Sequence, residues 1–139
     1  MHVFRLKLED SKQALSVQEL NEFQELFRVQ LPTAFRAFYL KHNGGDLSDS
    51  NDDNEFFLGG FTPIKYGNAP IETVYRDLTD DIPSLKQMIP FAYDRVGNSF
   101  LLSVKEDNFG YIYLYLMDEE ELAFVCESFE EFMTELTNG

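Results

Sequence analysis

Tryptophan is absent, cysteine occurs once, at Cys126, and histidine twice, at His2 and His42. A single cysteine cannot form a disulfide within the chain, so covalent staples are excluded as an internal source of stability. Cys126 stands in the apolar run LAFVCESF. That setting suits a buried inert thiol and not a nucleophile, which needs an accessible, electropositive environment. His42 falls in the last turn of a predicted helix, where an imidazole donor or cation complements the helix C-terminus. With no nucleophile beside either histidine in the pattern, an acid–base role has nothing to serve. G-x-S-x-G, a phosphate-binding glycine loop, H-E-x-x-H and paired C-x-x-C are all missing, so none of the chemistries those spacings support is indicated.

Positive charge is also scarce. Eleven Lys and Arg face twenty-five Asp and Glu, a net charge of −14. The imbalance is lopsided: residues 1–41 carry a net +1 and residues 42–139 a net −15. A nucleic-acid binder needs a basic footprint, and an anionic membrane surface repels such a chain, so both partners are excluded. A basic protein partner would be steered towards it. From charge alone, solubility is the better account of the acidity. Long hydrophobic runs are lacking too. The N-terminal MHVFRLKLEDSKQ has no apolar signal core, and no window approaches the ~18 apolar residues of a membrane span, so a soluble, cytoplasmic chain is expected.

What is present is a core. Of 139 residues, 44% are hydrophobic, with fourteen Phe and seven Tyr. That length and composition predict one globular domain over residues 1–139, with no linker, repeat or low-complexity tract apart from one acidic loop.

Residues 1–15 are an ambiguous lead-in, with HVFRLKL either a short strand or loose chain. Ser16-Val-Gln-Glu19 is a capping box, followed by Leu20, Phe23 and Leu26/Phe27 at helical spacing. A second helix lies in LPTAFRAFYLKHNGG: Pro32 suits its first turn, Phe35, Phe38 and Tyr39 share a face, and Asn43-Gly44-Gly45 supplies a left-handed stop. FFLGGFTPI reads as one or two short strands broken at Gly59-Gly60. NAPIETVYRDLTDD reads as a helix capped by Asn68, with Ile71, Val74, Tyr75 and Leu78 on its apolar face. MIPFAYD and SFLLSV are strands joined by a turn at RVGN. YIYLYLM and LAFVC are further strands, with KEDNFG a turn before the first. Ser128 and Glu131 form a second capping box, opening a closing helix with Phe129, Phe132, Met133 and Leu136 inward. Helices and strands do not alternate strictly, so the fold class is α+β and not a doubly wound sheet.

DLSDSNDDNE, residues 46–55, packs five carboxylates into a predicted loop. The calcium-binding EF-hand pattern tests it. With Asp49 first, Asn51 and Asp53 fit, but Asn54 replaces the required Gly and Gly60 the required Glu. No metal or cofactor site is therefore predicted; a solvated turn is the better reading. Asp94, after IPFAY and before RVGN, either satisfies the backbone of the turn or presents a carboxylate at a sheet edge. In YIYLYLM, Tyr111, Tyr113 and Tyr115 alternate with Ile112, Leu114 and Leu116. The apolar side is expected in the core. The tyrosine side is either half-exposed contact surface or covered by a helix.

Three of these blocks, in order, resemble the SUKH superfamily, which includes the yeast Smi/Knr cell-wall regulators and many bacterial proteins. Leu31, Pro32, Phe35, Phe38, Asn43, Gly44 and Gly45 match its first block, with Phe35 where Tyr is frequent. Ile89, Pro90, Phe91, Ala92, Asp94, Gly97 and Asn98 match the second. FVCESFEEFMTEL matches the closing strand and helix. The resemblance covers about residues 16–137; it departs after Asn-Gly-Gly, where Pro is frequent and Asp46 stands here. It implies a single domain with a curved, mostly antiparallel sheet and N-terminal, middle and C-terminal helices packed on it, and no catalytic activity. It further implies either an immunity protein that binds and neutralises a bacterial toxin, many of which are nucleases with basic active sites, or a regulatory scaffold binding a cellular protein. On either reading the candidate partner-binding residues are Asp46, Asp49, Asp52, Asp53, Glu55, Asp94, Tyr111, Tyr113 and Tyr115.

Overall fold

The computed structural model describes residues 8–47 and 54–138. Its elements run β1 (Leu8–Glu9), α1 (Val17–Glu25), α2 (Thr33–Lys41), β2 (Gly45–Leu47), β3 (Leu58–Phe61), α3 (Ile71–Asp81), β4 (Met88–Asp94), β5 (Ser99–Ser103), β6 (Ile112–Leu116), β7 (Glu121–Cys126) and α4 (Phe129–Asn138). The strands form one open seven-stranded sheet in the order of the chain, β1 to β7, and every ladder is antiparallel. Register shifts interrupt the β3–β4, β4–β5 and β6–β7 ladders; such bulges bend a strand and add twist. The α+β expectation holds.

The period of two in the strands sorts their side chains into two clusters, one on each face. Phe100, Leu102, Ile112 and Leu114 belong to the main cluster, under α1, α2 and α4. Leu101, Tyr113 and Tyr115 point the other way, into a smaller cluster with Leu85 and Met88. Helix α3 serves both: Ile71 is buried in the main cluster, while Leu78 near its end, and Ile82 just past it, pack on the smaller one. The main core is largely phenylalanine. Phe35 meets Phe129 edge-on at 5.4 Å, Phe91 meets Phe132 at 5.4 Å, and Phe56 stacks on Phe132 at 4.6 Å. Burying each such side chain contributes about 1.5–3 kcal/mol relative to exposing it.

The Ser16 capping box forms as predicted: the Glu19 N–H donates to Ser16 Oγ at 3.1 Å and the Ser16 N–H to Glu19 Oε1 at 3.0 Å. Glu19 does more than cap. Its Oε2 accepts from the Tyr66 hydroxyl and pairs with Lys65 Nζ at 2.9 Å, tying α1 to the loop before α3. At the closing helix the Glu131 N–H donates to Ser128 Oγ at 3.0 Å.

Four local expectations change. Asn68 does not cap α3, which starts after Pro70 without a side-chain cap. Helix α2 ends at Lys41 with His42 extended, so Asn43-Gly44-Gly45 is not a left-handed helix cap. Instead Asn43 is buried: Nδ2 donates to Gln13 O and Ile64 O, each at 2.9 Å, and Oδ1 accepts from the Ile64 N–H at 2.7 Å. Gly44, at φ +77°, passes so close to Pro63 that a Cβ would lie 2.8 Å from its backbone. Gly59 and Gly60 do not break a strand; both lie within β3, where Gly60 pairs with Tyr93 and Asp46. They are glycine because the Tyr93 ring lies over them. A Cβ on Gly60 would sit 2.4 Å from Tyr93 Oη and 2.7 Å from Gly45 O. Lastly, burial and the neighbouring Lys41 push the His42 imidazole below its ordinary pKa. Of the two roles expected of His42 at the end of α2, donor or cation, this shift disfavours the cation.

Candidate interaction surface

The acidic stretch at 46–55 is only partly loop. Asp46 and Leu47 belong to β2, with Leu47 buried and Asp46 exposed. The Asp46 carboxylate accepts from the Tyr93 hydroxyl. Burial, and then that bond, push the Tyr93 phenol well above its ordinary pKa. Asp46 is thus spent partly on holding Tyr93 over the glycines of β3. Asp49, Asp52 and Asp53 lie outside the described residues. Glu55 is exposed in a turn that Asn54 organises, its Oδ1 accepting from the Leu58 N–H at 2.7 Å and the Phe56 N–H at 3.1 Å.

Asp94 is buried at 6% exposure, and its carboxylate is fully engaged in the turn between β4 and β5. Oδ1 accepts from the Asn98 N–H at 2.8 Å and the Val96 N–H at 3.1 Å, and Oδ2 from Asn98 Nδ2 at 3.1 Å. Of the two sequence readings, the structural one accounts for this residue, and it is not presented to a partner.

The tyrosine face divides. Tyr115 is 5% exposed, covered by the end of α3 and the 3-10 turn at Pro83–Leu85 that follows. Burial, then the nearby Glu120 and Asp81 carboxylates, push its hydroxyl up. Tyr115 is a core residue. Tyr113 is half-buried, its hydroxyl accepting from Asn108 Nδ2 at 2.9 Å. Tyr111, one residue before β6, is also half-buried. Both rings meet Phe124 of β7 edge-on, at 5.4 Å for Tyr111 and 5.8 Å for Tyr113.

Phe124 and Leu122 are the residues the sequence reading missed. Phe124 is 54% and Leu122 43% exposed. They pair across the ladder with Tyr113 and Tyr115 and so stand on the same face. The signal was available: in ELAFVC, Leu122 and Phe124 alternate with Ala123 in the same way as the tyrosines of β6. Beside them, Asp118, Glu119, Glu120 and Glu121 form an exposed acidic run at the hairpin turn. Between this hairpin and the end of α3 lies a shallow cleft of about 420 Å³, with Leu85, Tyr115 and Leu122 in its lining and Asp81 and Glu120 at its sides.

One group of possible metal ligands occurs among the described residues: Cys126, Glu131 and Glu135, whose ligand atoms lie within 4.8 Å of one another. Cys126 is not poised as a ligand there. Burial pushes its thiol up to about 12, and Sγ donates to Ser128 O at 3.4 Å. It remains a protonated side chain of the main core.

No helix among the described residues is long and apolar enough to cross a membrane. The described residues form an antiparallel meander with helices on both faces, an exposed aromatic strip and an acidic rim. Residues 14–135 match the SMI1 / KNR4 family (SUKH-1), and the chain belongs to that family. The family is generally non-catalytic, generally of the immunity type, and works through protein–protein contact. No individual curated protein matches the chain.

Proposed function

We propose that the protein is a bacterial, cytoplasmic immunity protein that binds a toxin and blocks it by surface contact, without catalysis. The family match over residues 14–135 carries this reading. The net −15 of residues 42–139 supports it, because a toxin that grips phosphates has a basic active site. In this reading the acidic 46–55 stretch steers the encounter and the aromatics of the sheet face supply affinity.

The test is direct binding to the product of the adjacent gene, with association rates measured across a salt series. The expected result is a complex whose association slows as salt rises. Neutralising Asp49, Asp52 and Asp53 together should slow association and flatten its salt dependence; unchanged kinetics would remove the loop from the mechanism. If no neighbouring toxin gene exists and a cellular protein is bound instead, the chain is a regulatory scaffold. The family's inclusion of yeast regulators is what favours that second reading.

A further inference from the structure

We propose that the outer face of the β6–β7 hairpin is a docking surface for a basic, apolar-anchored segment of a protein partner. This deepens the proposed function and rests on it only for the identity of that partner. Phe124 and Leu122 present large apolar side chains to solvent, and Met117 at the hairpin turn is 55% exposed. Scattered exposed hydrophobics mean little, but these are contiguous. Tyr111 and Tyr113 abut Phe124, and Leu122 continues into the cleft with Tyr115 and Leu85. Such a strip, rimmed by polar groups, marks an interaction site.

Among the described residues no segment covers this strip, which leaves Phe124 and Leu122 exposed. Helix α4, which follows β7, packs its Phe129 and Phe132 into the main cluster on the opposite face.

Charge selects the occupant. The rim consists of Asp81 and the run Asp118 to Glu121, all exposed. Lys105 reaches the region, its ammonium donating to Ser84 O at 3.1 Å, and leaves the rim acidic in sum. A second copy would set acid against acid across the contact, each chain carrying −14. A segment that alternates apolar and Lys or Arg side chains instead lays the apolar ones on Phe124 and Leu122. Its cations then meet Asp81, Glu120 and their neighbours. The aliphatic stem of a Lys or Arg lies in the cleft against Leu122, with its charge towards the carboxylates.

The test uses the full chain and two synthetic peptides of about ten residues, one alternating Lys with Leu and one alternating Glu with Leu. Binding is followed by heteronuclear NMR at about 0.05 and about 0.5 M salt. The Lys/Leu peptide should bind, shift resonances of β6 and β7, and weaken at the higher salt; the Glu/Leu peptide should not bind. Phe124→Ser and Leu122→Ser leave the net charge unchanged and replace exposed side chains, so the fold should melt as before. Each should weaken binding roughly tenfold. The proposal is overturned if the Lys/Leu peptide does not bind, if both variants bind it as the parent does, or if the Glu/Leu peptide binds equally. Dimerisation that Phe124→Ser abolishes would also overturn it, by naming a second copy as the occupant. A toxin bound equally well by Phe124→Ser and Leu122→Ser would refute this surface and leave the immunity reading standing. Peptide binding here with no toxin bound would do the reverse.

Discussion

The side chain of Asn43 reads the backbone of Ile64 in both directions: Oδ1 accepts from the Ile64 N–H at 2.7 Å, and Nδ2 donates to the Ile64 carbonyl at 2.9 Å. A third bond, from Nδ2 to Gln13 O at 2.9 Å, brings in the segment before α1. One buried amide thereby joins three stretches of chain distant in sequence. Its neighbour Gly44 must be small and left-handed for Pro63 to approach.

Replacing Asn43 with Ala should therefore cost about 3 kcal/mol or more, since it removes three bonds and leaves buried backbone groups unpaired. Asn43→Asp should fare little better, because a carboxylate cannot donate to the two carbonyls. Urea unfolding of both variants checks this; a loss below about 1 kcal/mol would show that the amide is dispensable.

Glycines at two sites should behave differently under the same change. Gly60→Ala drives a Cβ into Tyr93 Oη and Gly45 O and should cost more than about 2 kcal/mol. Gly97→Ala meets nothing within 4 Å and carries only the strain of φ +96°, about 1 kcal/mol. Thermal melts of the pair should rank them in that order.

Glu19 sets an acid-side dependence. Its bonds from Tyr66, the Ser16 backbone and Lys65 hold its carboxyl down at about 2, against an ordinary 4.5. A depressed carboxyl stabilises fully above the unfolded value, and that contribution is lost as pH falls through the folded one. The melting temperature should drop between pH 4.5 and about 2. In Glu19→Gln that part of the decline should be smaller; an identical pH profile would mean the contacts of Glu19 do not outlast solvent competition.

Asp94→Ala should cost about 2 kcal/mol, since it strips the β4–β5 turn of acceptors for two backbone N–H groups and the Asn98 side chain. Asp94→Asn keeps an oxygen for the two N–H groups and should cost less. Neither should alter partner affinity once stability is restored at lower temperature, which a binding titration measures.

Cys126 should resist a thiol reagent such as iodoacetamide in the native protein, because it is 1% exposed and its thiol is pushed up to about 12. Labelling should become rapid only in denaturant. Fast native labelling, followed by mass spectrometry, would contradict its place in the core.

Much of this protein is determined locally and so can be read from the sequence. The capping box at Ser16 and Glu19 satisfies helix donors within one turn, and Phe129, Phe132, Met133 and Leu136 face inward because a helix repeats every 3.6 residues. The alternation of β6 and the turn at Asp94 are equally local. Three family blocks were legible because their residues keep fixed spacings along the chain.

The rest depends on contacts between segments that no local pattern records. Asn43 looks like a helix stop until Ile64 and Gln13 are brought against it. Gly59 and Gly60 look like a break until Tyr93 lies over them. Tyr115 looks like contact surface until α3 ends across it, while Phe124, one strand away on the same face, is left in water. Periodicity assigns a residue to a face of its element. Only the packing of elements decides whether that face is covered, and on this sheet that decision separates the core from the proposed docking surface.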